Sequence, residues 1–158
     1  MMYGKRMMER TQGDAVPVSD IEDDRWCMAV RLLGRIEQRL DQALRSSHGL
    51  PLSEYRALCA LSREDDGGRL RMGELAERIG LKDSSVTRLV ERLEARGVAE
   101  RVSLGGEDGR SVRAVVNDTG RLRYAEATAT YRAALGAELD AARENIYLAE
   151  LAAWVRNP

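Results

Sequence analysis

The chain has 158 residues, with 25 Lys/Arg against 26 Asp/Glu, a formal charge of −1 and 44% hydrophobic residues. That composition builds one core, with or without appended helices, and excludes a protein that coats nucleic acid or membrane by bulk charge. No run approaches the roughly 18–20 apolar residues of a membrane span, and the N-terminus lacks the apolar core of a secretion signal, so a cytoplasmic protein without membrane contact is expected.

Residues 1–18, MMYGKRMMERTQGDAVPV, mix charge, glycine and proline without a period and read as a flexible arm. The acidic run Asp20 to Asp24 then suits a helix N-terminus. Trp26, Val30, Leu33, Leu40 and Leu44 follow as an apolar seam that Ala29, Leu32 and Ile36 widen. A seam of that width is more than a lone small domain covers, so residues 19–48 are expected to form a dimerisation helix. His48, in Ser46-Ser47-His48-Gly49, reads as a cap or surface residue at the helix end.

Residues 49–118 carry the densest signals. Leu75, Ala76 and Ile79 share one face of a helix predicted over Gly73 to Ile79, which Gly80 stops. Asp83 is the predicted N-cap of a second helix. There Val86, Leu89, Val90 and Leu93 recur at i, i+3, i+4 and i+7, placing Ser84, Arg88, Glu91, Arg92 and Ala95 on the opposite face. Small hydroxyls near the helix start with arginines one and two turns on suit a major groove, though the same pattern in an isolated helix is often only a solvated face. Gly97 caps this helix. Val98 to Leu104 and Ser111 to Val116 are predicted strands flanking the polar tip Gly105-Gly106-Glu107-Asp108-Gly109-Arg110, so helix, turn, helix and hairpin follow in the order of a winged helix-turn-helix. Arg110 at such a tip would enter a minor groove. Residues 69–113 hold ten Lys/Arg against eight Asp/Glu while residues 1–25 hold four against six, a basic bias confined to the reading module.

Residues 119–158 are expected to be C-terminal dimerisation helices. One starts near Gly120 and runs through Ala125, Ala129, Leu135, Leu139 and Ala142; after Glu144-Asn145 the pattern resumes as Leu148, Leu151, Ala152 and Val155. The expected fold is mostly α (α+β), a winged helix-turn-helix with N- and C-terminal dimerisation helices.

From Leu50 to Gly120 the sequence resembles the MarR family of bacterial transcriptional regulators. The matching pieces are LPLSEYRALCAL at Leu50 to Leu61, ELAERIGL at Glu74 to Leu81, SSVTRLVERLEARGVAER at Ser84 to Arg101, EDGR at Glu107 to Arg110 and VNDTGR at Val116 to Arg121. The resemblance implies a homodimer whose recognition helices read successive major grooves of a pseudo-palindromic operator in double-stranded DNA while the wings reach the flanking minor grooves. It puts the base-reading positions on Ser84, Ser85, Thr87 and Arg88, with Arg92 nearby, and the wing tip on Asp108 and Arg110. Asp108 is better read as a brace for a neighbouring arginine, since a carboxylate repels phosphates. Gly109 stands where a second arginine is frequent, so the wing leans on Arg110 and Arg113. The resemblance also implies repression relieved by a small, often aromatic, effector bound between the dimerisation helices and the reading module. By position, Leu33, Ile36, Tyr55, Leu58 and Tyr124 would line that pocket.

No cofactor or metal site is expected. His48 is the single histidine, and a zinc site built from it with Cys27 or the acidic run is a thin alternative. Some members of the resembled family sense oxidants through a thiolate on the first helix. Cys27 has the position, beside Asp23 and Asp24 that oppose the thiolate, while Cys59 reads as core. Nothing in the sequence looks like a histidine pair, nucleophile elbow, phosphate-binding loop or paired-carboxylate helix, so catalysis is not expected. The competing class is a winged-helix protein-docking module without DNA binding, with a thiol- or metal-responsive regulator as a variant of the first reading.

Overall fold

The computed structural model describes residues 15–63, 67–103 and 112–157. Nine elements follow in order: α1 Asp20–His48, α2 Leu52–Ser62, β1 Arg69–Arg71, α3 Met72–Ile79, α4 Asp83–Ala95, β2 Ala99–Ser103, β3 Val112–Val116, α5 Asp118–Arg143 and α6 Ala149–Arg156. Helices dominate, and the strands form one antiparallel sheet in the order β1-β3-β2. No described helix is long and apolar enough to cross a membrane.

The local chemistry explains the boundaries. Ser19 and Glu22 form a capping box at the start of α1: the Ser19 N–H donates to Glu22 Oε2 at 2.7 Å, and the Glu22 N–H returns to Ser19 Oγ at 3.4 Å. Gly80 and Gly97 adopt left-handed φ of 70° and 69°, which costs glycine nothing and lets the chain leave α3 and α4 sharply. At α4 the Val98 N–H bonds Leu93 O at 3.1 Å and the Gly97 N–H bonds Glu94 O at 2.9 Å, satisfying two end carbonyls. The predicted cap at Asp83 shifts by one residue. Lys82 is the extended N-cap, its carbonyl taken by the Val86 N–H at 3.0 Å, and Asp83 lies in the first turn, where its charge meets the helix dipole instead of capping a donor.

Strand β1 had no sequence signal, because three residues cannot display alternation. It pairs Leu70 with Ala114 of β3, burying Leu70 beneath the sheet. The wing strands pair Ala99 with Val116 and Ser103 with Val112, slightly inside their predicted limits. The predicted tip, with Asp108 and Arg110, lies outside the described residues.

One core joins α1 to α5 and the sheet through Leu40, Leu44, Leu50, Leu58, Leu61, Leu75, Leu89 and Leu93. A smaller cluster, Leu139, Ala142, Leu148 and Ala152, seats α6 on α5 against Leu32 and Ile36. The seam predicted along α1 therefore divides. Its C-terminal half feeds the chain's own core, while Trp26 is 67% exposed and Val30 and Leu33 are also open. Trp154, on α6, is 75% exposed.

Candidate nucleic-acid interface

Helix α4 is anchored by one face. Val86, Leu89, Val90 and Leu93 are essentially inaccessible, so the 100° rotation per residue presents Ser84, Ser85, Thr87, Arg88, Glu91 and Arg92 outward. Thr87 Oγ1 donates to the Asp83 carbonyl at 3.1 Å, a local bond that fixes its rotamer. Arg88 makes no ion pair among the described residues and extends into solvent. Arg113 stands on β3 at the position facing Arg71 of β1 on one side and Val102 of β2 on the other, close to the start of α3.

Arg92 behaves differently from Arg88. Its Nε lies 3.5 Å from Glu54 Oε1, and Arg96 Nε lies 2.8 Å from Glu54 Oε2. Glu54 is 1% exposed, and neither of its oxygens receives a well-aligned hydrogen bond among the described residues. These are ion pairs with poorly directed N–H groups. Arg96 also donates from Nη1 to the Gly49 carbonyl at 3.2 Å. At the far end of α4, Glu94 accepts the Arg101 N–H at 2.8 Å and pairs with Arg101 Nη2 at 3.1 Å, tying the helix to β2. Sequence reasoning missed Glu54, since its partners lie about 40 positions away and no periodicity links them.

A groove of about 850 Å³ opens between α2, the end of α3 and α5. Tyr55 stacks on Tyr131 with centroids 4.5 Å apart and meets Tyr124 at 5.5 Å. Arg56, Arg63, Arg78 and Arg132 surround this aromatic floor, with Glu77 as the one carboxylate among the described lining residues. Burial pushes the Tyr55 and Tyr124 phenols above the usual range, so both remain neutral hydrogen-bonding groups near neutral pH.

Of the five expected pocket residues, the structure brings only Tyr55 and Tyr124 to this groove. Leu58 is fully buried in the core. Leu33 and Ile36 border a separate apolar hollow of about 240 Å³ with Leu139, Leu151 and Val155. They part because α1 turns that stretch toward α5 and α6, not toward α2. Cys59 is half-buried on the groove rather than in the core, and its Sγ donates to the Tyr124 hydroxyl at 3.4 Å. The Tyr124/Tyr131 spacing of two helical turns was a readable sign of a shared face. Cys27 is exposed. His48 ends α1 with Nε2 2.8 Å from Thr130 Oγ1, and its carbonyl accepts Arg123 Nη2 at 3.1 Å.

Comparison with known proteins agrees with this architecture. Residues 48–111 match the sequence model of the MarR family. No curated protein matches the chain. Among solved structures, Sco3205, a MarR family transcriptional regulator from Streptomyces coelicolor in complex with DNA, superposes with a TM-score of 0.72 at 23% identity, covering 90% of this chain and 88% of its own. A MarR family transcriptional regulator from Silicibacter pomeroyi gives 0.66 at 26% identity, covering 88% and 95%. CouR from Rhodococcus jostii RHA1, solved bound to p-coumaroyl-CoA, gives 0.64 at 25% identity, covering 82% and 84%.

Proposed function

Because residues 48–111 match the sequence model of the MarR family, we propose that this chain is a sequence-specific DNA-binding regulator of transcription, acting as a homodimeric repressor of a pseudo-palindromic operator. The observation that carries the reading is α4: its apolar face is wholly spent on the core, while Ser84, Ser85, Thr87 and Arg88 stand outward on a rigid helix beside a wing. Arg88 suits a bidentate contact to guanine O6 and N7, and the small hydroxyls allow close approach to base edges. Arg113, with Asp108 and Arg110 of the tip, supplies the wing's contribution.

Exposed Trp26 on α1, Trp154 on α6 and Ile146 in the turn between α5 and α6 support the dimer, since large apolar side chains left open in the terminal segments are expected to be covered by a second copy. The tyrosine floor and arginine rim of the groove support a small aromatic anion as the effector that releases DNA. Occupancy would act by favouring one spacing of the recognition helices.

Selection of genomic DNA fragments followed by sequencing tests the reading. An inverted repeat with half-sites about one helical turn apart, weakened by Arg88→Ala and by salt, is the expected result. An intact dimer that enriches no site would refute it and favour a protein-docking module.

A further inference from the structure

We propose that Glu54 is the positioning residue of the DNA-reading helix, holding Arg92 against α2 and away from the phosphate backbone. The inference rests on the DNA-reading function proposed above. Glu54 sits in the first turn of α2, 1% exposed, and a carboxylate so dry must keep cations beside it. Among the described residues it has two, Arg92 in the last turn of α4 and Arg96 at its C-cap.

Their roles differ. Arg96 is pinned, 2.8 Å from Glu54 Oε2 and bonded to the Gly49 carbonyl, so it closes a junction between the end of α1, the start of α2 and the end of α4. Arg92 is held at 3.5 Å with 54% of its side chain exposed, one turn beyond Arg88 on the same helix. Arg92 therefore stands between a buried anion and whatever α4 faces. Moving it to a phosphate would leave Glu54 with one misaligned guanidinium in a dry setting. The charge at position 54 thus decides how many cations α4 offers to DNA.

The readout is the slope of log affinity against log salt on a selected operator, where each phosphate contact contributes about 0.9. Arg92→Ala alone should change the slope by less than about 0.3 of that scale's unit, because Arg92 is not on DNA. Glu54→Gln removes the attraction at nearly constant volume and should steepen the slope by about 0.9, a gain that Glu54→Gln with Arg92→Ala abolishes. Circular dichroism and sedimentation establish that the variants remain folded dimers. A merely structural Glu54 would lower stability and leave the slope alone. If Glu54→Gln does not fold, Arg92→Ala still decides. A full-unit flattening by Arg92→Ala, or an unmoved slope in folded Glu54→Gln, overturns the proposal. A wild-type protein that binds no selected DNA overturns the DNA-reading function and this role with it.

Discussion

Gly120 lies where β3 passes into α5, and replacing it with alanine tests how that junction is built. Gly120 lies in the first turn of α5, where its N–H donates to Asn117 Oδ1 at 2.9 Å, while Asn117 Nδ2 donates to the Gly97 carbonyl at 2.8 Å. A Cβ at position 120 would collide with the Val98 carbonyl oxygen and fall 2.6 Å from Val116 Cγ2. Carbon atoms pack at about 3.5–4.0 Å, so α5 must retreat by about 1 Å from the end of α4. Val116 is buried on β3 and the Val98 carbonyl accepts the Asn117 N–H, so neither yields freely. With neither neighbour free to yield, the overpacking cost falls in the upper part of the usual range, about 2–3 kcal/mol, and the helix preference for alanine returns about 1 kcal/mol. The net loss is about 1–2 kcal/mol, or roughly 2–8 °C in Tm for a domain of this size. Gly136→Ala is the internal control. It lies in the same helix, its added Cβ would meet only Arg156 Nη2 at 3.6 Å, and it should raise Tm by roughly 2–4 °C. Paired thermal melts read both. A Gly120→Ala protein as stable as wild type would refute the close-approach argument.

The other predictions follow from single contacts. Asp41 resists ionisation by burial, but the Leu52 N–H at 2.8 Å and the Arg45 guanidinium at 2.7 Å outweigh this and hold its carboxyl below the ordinary range. A depressed carboxyl stabilises the fold above about pH 4 and loses that contribution as pH falls through the folded value. The Tm gap between wild type and Asp41→Asn should therefore be widest near neutrality and close in acid, and a gap independent of pH would refute the assignment. Trp154→Arg should convert the proposed dimer to a monomer in sedimentation without loss of helix, because Trp154 contributes little to its own chain's core. Benzoate titrated into the protein should perturb tyrosine fluorescence, and Tyr55→Ala or Arg132→Ala should weaken that response several-fold. An unaltered titration would remove the groove from the effector reading.

Periodicity and turn chemistry sufficed for α1, α3, α4, α5 and α6, though not for α2, and for the exposed Ser84, Ser85, Thr87 and Arg88, because those depend on residues within a few positions of one another. The apolar stripe of α4 marks its buried side whatever it packs on, and Gly80 and Gly97 mark the ends of α3 and of α4 itself by the φ they tolerate. The wing strands were legible for the same reason, whereas β1 was not: three residues become a strand only when Val112–Val116 arrives to pair with them. Of the five residues expected to lie together, the fold brings two to one groove. Tyr55 and Tyr124 share the groove, but Leu33 and Ile36 sit on the stretch of α1 that faces α5 and α6. Glu54 was invisible in sequence, since a glutamate in an amphipathic helix is ordinarily solvated. Only tertiary packing brings Arg92 and Arg96 over it and excludes water, and burial is what turns an ordinary carboxylate into a constraint on α4.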